Sequence, residues 1–295
     1  MRSGFIGVIG RANAGKSTLV NVLVGEKVAI TSPKPQTTRD AIMGVLTREN
    51  YQLVFVDTPG LYKGKSYLSG VMAKTAETAA KDVDFILFVQ DGHEGVSEED
   101  VKLMKKYLAG KIPMAVAYTK IDIMPKANIA ADVKKLYDGG VTCDIFPVSA
   151  RKYQNIKKLE EYLASKMPEG DKVIDDDVVS DKSEKFMISE IMREKILLKF
   201  DEEIPHGVAV VVNIFRLRDD GVYEINLDIV CDKENHKKIL IGKQGAAIKQ
   251  VSSFAREAME KFLGKKVFLT TYVRVKEDWR NRPNLVKDLG YNENK

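Results

Sequence analysis

Gly10-Arg11-Ala12-Asn13-Ala14-Gly15-Lys16-Ser17 fits the pattern G-x-x-x-x-G-K-[ST], directly after the apolar run 5–10 and at the start of the helical pattern 16–24. Such a loop works only between a buried strand and a helix N-terminus, so its place in the chain decides the fold. Glycines let the backbone curl until successive N–H groups aim at one phosphate chain, and the helix adds the positive end of its dipole. Lys16 supplies a cation for β- and γ-phosphates, and the Ser17 hydroxyl can bind Mg²⁺. Gly10, Asn13, Ala14, Gly15, Lys16, Ser17 and Thr18 are the candidate phosphate-binding residues.

Outward from this loop, strand and helix patterns alternate. Residues 41–47 and 52–57 read as a hairpin around Glu49-Asn50, and 85–91, 114–118 and 145–149 as further apolar strands. Helical patterns occupy 71–81, 97–109, 128–137 and 156–166. This alternation predicts an α/β domain with a mostly parallel sheet and helices on both faces. Pro168-Glu169-Gly170 breaks the pattern, and 171–184 carries six acidic and two basic residues, a net of −4. That stretch reads as a linker too polar to pack. A helix at 186–200, strands at 208–216 and 222–231, helices at 235–241 and 246–262 and a strand at 266–274 then predict an α+β domain. The expected division is 1–168, a linker at 169–185, and 186–295.

Three more segments can complete a nucleotide site. Asp57-Thr58-Pro59-Gly60 ends an apolar strand; the carboxylate can hold magnesium through water and the Gly60 N–H can meet a γ-phosphate. In Pro35-Gln36-Thr37-Thr38-Arg39 either threonine can complete the metal shell, Thr38 being favoured over Thr37. Thr119-Lys120-Ile121-Asp122 follows a strand, where a carboxylate can accept hydrogens from N1 and N2 of guanine. Adenine offers no such pair, and a site built around a polar edge rejects analogues that lack it. Ser149-Ala150 follows the next strand and can present an N–H to the guanine O6.

In this order the segments resemble the translation-factor branch of the Ras-like P-loop GTPases, over residues 3–167. The resemblance implies GTP hydrolysis, Mg²⁺ held by Ser17, Thr38 and Asp57, a guanine set of Thr119, Lys120, Asp122, Ser149 and Ala150, and switch loops at 28–40 and 60–70. Relatives usually carry Pro and Val where Ala12 and Ala14 stand, and Asn where Thr119 stands, so specificity rests mainly on Asp122. Leu61 occupies the position of the water-orienting Gln of Ras-type enzymes. In similar GTPases with an apolar residue there, an Asn placed as Asn13 helps to bind an activating K⁺ ion.

In the second half, Ile241-Gly242-Lys243-Gln244-Gly245 sets G-x-x-G between two helices, a turn without side chains at its ends that lets a nucleic-acid backbone approach closely. Lys249 is placed near the same groove. The element order resembles a type II KH domain, which implies a groove for about four unpaired nucleotides. Residues 233–287 carry 14 Lys/Arg and 5 Asp/Glu, a net of +9 that fits a polyanionic partner. Lys237, Lys238, Lys265, Lys266, Arg274, Lys276, Arg280 and Arg282 are candidate phosphate contacts. Trp279, the only tryptophan, reads as packing for the C-terminal edge of the domain.

Together with Arg193-Glu194-Lys195 and Leu289-Gly290-Tyr291, the two-domain order resembles a family of bacterial ribosome-assembly GTPases. That resemblance implies binding of small-subunit ribosomal RNA near its 3′ end during 30S maturation, with the GTP/GDP state gating RNA binding. It also brings peripheral inner-membrane association of some members. The competing reading is a signalling or membrane-linked GTPase whose second domain contacts a protein. Over 295 residues with a net charge of +5, no apolar run approaches the roughly 20 residues a membrane helix needs. No signal peptide is read at Met1, and Cys143 and Cys231 read as reduced thiols. A cytoplasmic, monomeric protein is expected.

Overall fold

The computed structural model describes residues 1–61 and 64–291; the expected switch loop 60–70 therefore lies partly outside the described residues, at Tyr62 and Lys63. The chain divides into two compact units. The first comprises Met1–Thr31, Thr38–Lys63 and Met72–Asp181, and the second Ser32–Thr37, Gly64–Val71 and Lys182–Lys295.

The first unit runs β1 (Arg2–Gly10), α1 (Lys16–Val24), β2 (Ile42–Thr47), β3 (Tyr51–Asp57), α2 (Tyr67–Ala79), β4 (Phe85–Asp91), α3 (Glu98–Leu108), β5 (Met114–Thr119), α4 (Lys126–Asp138), β6 (Ile145–Pro147) and α5 (Ile156–Lys166), the first turn of α2 belonging to the second unit. The sheet order is β2-β3-β1-β4-β5-β6, parallel except for the β2–β3 hairpin. Every residue of β4 and β5 is buried, as strands covered on both faces must be. Leu19, Leu23, Leu159 and Leu163 cover one face against Ile6, Val8, Phe55 and Leu87. Met104 and Leu136 join the opposite face at Ile9, Phe88 and Val116. The parallel strands β1, β3, β4, β5 and β6 all end on one edge, where the loops that follow them gather.

Local chemistry sets the helix ends. Ser97 and Asp100 form a reciprocal capping box at the start of α3, and Glu98 and Glu99 complement its dipole. Helix α2 begins at Tyr67 rather than near 71, because the Ser66 hydroxyl accepts the Ser69 N–H at 3.2 Å and caps an extra turn.

The acidic stretch packs, unlike the solvated linker its composition predicts. Val179 accepts the Val45 N–H at 2.9 Å and the Asp181 carboxylate accepts that of Met43 at 2.8 Å, extending the sheet at β2. The buried Gln52 side chain accepts the N–H groups of Val173 and Ile174, both at 3.0 Å, and donates to the Ile174 carbonyl at 2.8 Å. The polar backbone is thus satisfied by an exposed sheet edge and one amide, which composition does not report.

The second unit runs α6 (Glu184–Lys199), β7 (Ala209–Leu217), β8 (Tyr223–Cys231), α7 (Glu234–Ile241), α8 (Ala246–Leu263), β9 (Val267–Val275) and α9 (Pro283–Asp288). Strand β8 is central, antiparallel to β7 and parallel to β9. Ile188, Met192 and Ile196 of α6 and Val251, Ala255 and Met259 of α8 pack on Ile225, Leu227 and Ile229. Trp279 is fully buried, donates its indole N–H to the Gly207 carbonyl at 2.8 Å and stacks on Tyr291, the packing role its sequence position implies.

Gln52→Leu should free the 172–181 segment by removing these bonds. Limited trypsin cleavage after Lys172 is expected to accelerate several-fold; an unchanged rate would show that the edge pairing alone holds the segment.

Candidate functional site

The phosphate loop is shaped by backbone that other residues resist. A Cβ on Gly10 would lie 2.3 Å from the Val89 carbonyl oxygen, so only glycine brings the loop this close to β4. Asn13 (φ 64°) and Gly15 (φ 93°) take left-handed conformations that turn the chain into α1. The Lys16 ammonium lies along the loop and donates to the carbonyls of Arg11 at 2.9 Å and Gly10 at 3.2 Å. Burial lowers its pKa to about 8, against the pull of Asp57.

Below the loop three oxygens converge. The Ser17 hydroxyl donates to Asp57 Oδ2 at 2.6 Å, and Thr38 Oγ1 lies 2.8 Å from Ser17 Oγ and 3.4 Å from Asp57 Oδ2. Asp57 is fully buried, and its Oδ1 has no hydrogen-bond partner among the described residues. Burial raises its pKa to about 6, although Lys16, Ser17 and Thr38 all favour the charged form. Thr37 turns away: its hydroxyl donates to the Lys34 carbonyl at 2.6 Å and to Ser32 at 3.1 Å.

Gly60 closes on the loop from β3; a Cβ there would lie 2.7 Å from Ala12 Cα and 2.8 Å from its nitrogen. The Leu61 N–H donates to the Gly10 carbonyl at 3.0 Å, so the residue without a polar side-chain atom is tied to the loop by its backbone.

At the far end of the same sheet edge, Lys120 (φ 62°) turns the chain after β5 and pairs with Asp91. Asp122 accepts the Ser149 hydroxyl at 2.6 Å, and that hydroxyl also accepts the Lys152 N–H at 3.0 Å. Thr119 is buried beneath the phosphate loop, its hydroxyl 2.7 Å from the Ala14 carbonyl and 3.0 Å from that of Gln90.

Within the second unit, the segment Ser32–Thr37 is held by α6. The fully buried Arg193 pairs with Glu190 and donates to the Thr37 carbonyl. Its pattern in the sequence, acid and base three apart on a helical face rich in apolar residues, is consistent with a buried pair but does not say what the pair holds.

The G-x-x-G turn joins α7 to α8 in the same unit. Gly242 (φ 72°), Gln244 (φ 51°) and Gly245 (φ 77°) all have positive φ. A Cβ on Gly242 would also lie 2.7 Å from that of Ala247, whereas Gly245 faces open space. Ile241 ends α7, and Lys243, Gln244 and Lys249 are exposed around the turn. The wider basic patch is partly spent inside the unit. Arg274 pairs with Asp228 at 2.5 Å, Arg280 with Asp232 at 2.7 Å and Lys266 with Glu260 at 3.3 Å, so these three are less available to phosphates than the charge count implies.

Residues 5–120 match the family model described as a 50S ribosome-binding GTPase, and residues 203–280 match that of the KH domain. The GTPase Era of Clostridium kluyveri is 45% identical over 291 residues, covering 99% of each chain, and that of Clostridium novyi 42% identical over 292 residues, again 99% of each. Among solved structures, a variant of Aquifex aeolicus Era bound to GDP·AlF4⁻ is similar at a TM-score of 0.94 and 34% identity, over 99% of both chains. Era in complex with MgGDPNP and nucleotides 1506–1542 of 16S ribosomal RNA is similar at 0.94 and 35%, over the same share.

Trp279 makes unfolding of the second unit visible by fluorescence. Gly242→Ala should lower the urea-derived stability by about 1–3 kcal/mol, combining strain and collision, and Gly245→Ala by about 1 kcal/mol from conformation alone. The reverse order would mean that the turn is not held as described.

Proposed function

The chain belongs to the Era family of GTPases, and on that premise we propose that it binds and hydrolyses GTP and takes the 3′ region of 16S ribosomal RNA on its second unit during 30S maturation. What carries this function is the convergence of Ser17, Thr38 and Asp57 beneath a phosphate loop, in a chain that also holds a G-x-x-G turn between two helices.

Gly10, Asn13, Ala14, Gly15, Lys16, Ser17, Thr18 and Gly60 cradle the phosphates. Two hydroxyls and a buried carboxylate with one unpartnered oxygen are the hard donors that Mg²⁺ prefers, so Ser17, Thr38 and Asp57 fit the ion. When bound, it would supply positive charge that offsets the charge of the phosphates. Lys16 meets the same phosphates, and the burial that depresses its pKa strengthens its attraction to them. Asp122, braced by Ser149, reads the N1–N2 edge of guanine, with the Ala150 N–H facing O6 and Lys120 beside the base. Leu61 supplies no group to orient water; an activating K⁺, held with help from Asn13, would instead supply positive charge among the phosphates, as an arginine finger does. Turnover should be faster in potassium than in sodium buffer at equal ionic strength; equal rates would remove the ion from the mechanism.

RNA binds at Ile241, Gly242, Lys243, Gln244, Gly245 and Lys249, within a domain of residues 186–295 that follows the GTPase domain, 1–168, and the acidic segment 169–185. GTP favours RNA binding and hydrolysis favours release. Support for this gating comes from one peptide bond: Thr38 faces the metal-binding oxygens of the first unit, while the Thr37 carbonyl is held by Arg193 of the second. The protein acts as a cytoplasmic monomer. Peripheral inner-membrane attachment rests on the family resemblance alone; among the described residues no helix is long and apolar enough to cross a membrane. The 16S complex of a relative favours RNA over a protein partner for the second unit.

Asp122→Asn should exchange guanine for xanthine preference, because the amide reverses one hydrogen-bond direction; an unchanged GTP-to-XTP ratio would refute the base assignment. For gating, a fluorescent RNA of the 16S 3′ end should bind several-fold more tightly with a non-hydrolysable GTP analogue than with GDP at fixed salt. Gly242→Asp with Gly245→Asp should abolish that binding and spare nucleotide affinity. Equal RNA affinity in both nucleotide states would leave the two activities uncoupled.

A further inference from the structure

Thr119 ends β5 one residue before the turn that leads to Asp122, a position from which a side chain could face the base. Its hydroxyl is committed elsewhere. It lies 2.7 Å from the Ala14 carbonyl of the phosphate loop and 3.0 Å from the Gln90 carbonyl of β4. A hydroxyl has one proton, and both neighbours are acceptors, so they compete for the only side-chain donor of Thr119. The backbone is committed too, since the Thr119 carbonyl accepts the Gly92 N–H at 3.1 Å. The side chain sits beneath the turn into α1, 3.6 Å from where a Cβ on Gly15 would be, and is 3% exposed.

Resting on the guanine-nucleotide reading of this site, we propose that Thr119 is a positioning residue that clamps the phosphate loop to β4, and that the site recognises guanine without a side-chain donor from this position to N7. Guanine presents N7 and O6 as acceptors on one edge and its N1 and N2 hydrogens elsewhere. Asp122 serves the hydrogens; Thr119 has none to give N7. The consequence is a tolerance: a guanine nucleotide with carbon in place of N7 loses nothing at this position. An amide here would be different, because its NH₂ carries two hydrogens and extends one atom further than the hydroxyl.

The test is displacement of a fluorescent GDP by GDP and by 7-deaza-GDP, at fixed Mg²⁺ and salt, from the full chain and from three variants. The wild-type protein should bind the two competitors within about twofold. Thr119→Asn should favour GDP over 7-deaza-GDP by roughly three- to tenfold, the contribution of one new hydrogen bond. Thr119→Val should weaken both by a similar factor, roughly tenfold, and leave their ratio at one, because it removes the hydroxyl that ties the Ala14 carbonyl to β4 without touching the base. Thr119→Ser keeps the hydroxyl and should restore wild-type affinity, which guards against a valine variant that fails to fold. Wild-type discrimination of more than about threefold against 7-deaza-GDP would overturn the proposal, as would a valine variant with undiminished affinity. Failure of the wild type to bind either nucleotide would instead strike the guanine reading itself, and this inference with it.

Discussion

Everything in the first unit is arranged around a carboxylate that does not belong in a protein interior. Asp57 is buried at the end of β3, and its interior position pushes its pKa to about 6. A charge so placed is costly unless something compensates it. Lys16 lies close enough to act on it electrostatically, and the hydroxyls of Ser17 and Thr38 point at it, yet one oxygen still lacks a partner. Lys16 bears the reciprocal cost, its own pKa falling to about 8 through burial. On the proposed function, a triphosphate and a divalent cation are what would compensate the two groups. The curled loop, the glycine contacts with β4 and β3 and the burial of the strand ends all serve to hold this pair in place.

The same constraint reaches the second unit through the chain itself. Thr38 takes part in the oxygen cluster, and the preceding residue is held by the Arg193–Glu190 pair on α6. A fully buried guanidinium is tolerated only when its hydrogens are satisfied, and here part of that satisfaction comes from a backbone carbonyl one residue away from Thr38. The Thr38 hydroxyl beside Ser17 and Asp57 and the packing at α6 are therefore neighbours along the backbone, which is the physical basis of the switch proposed above.

Much of the site was legible residue by residue because its chemistry is local. Lys16 and Ser17 follow a glycine loop of recognisable spacing, and Asp122 lies three residues past the end of an apolar strand, in the turn that follows it. Strands β7 and β8 were marked by apolar periodicity and the G-x-x-G turn by its own glycines. What escaped was decided by partners distant in sequence. The acidic stretch reads as a linker because composition counts charges; Gln52 and the β2 edge, more than a hundred residues away, hydrogen-bond to its backbone. The basic block reads as one surface, yet Asp228, Asp232 and Glu260 take three of its cations.

By itself, then, the sequence determined the order of the elements, the phosphate loop, the carboxylates at the strand ends and the glycines of the second-unit turn, since each depends on neighbours within a few residues. Only the tertiary structure set the Thr38 hydroxyl, and not that of Thr37, beside Ser17 and Asp57, turned Thr119 toward the phosphate loop, gave Arg193 its carbonyl and folded the acidic segment onto a strand edge. Those outcomes depend on which hydroxyl, carbonyl or carboxylate arrives from a remote strand or helix. Hydrogen bonds are directional and short, so their partners are settled when the elements pack, and a pattern along the chain carries no record of them.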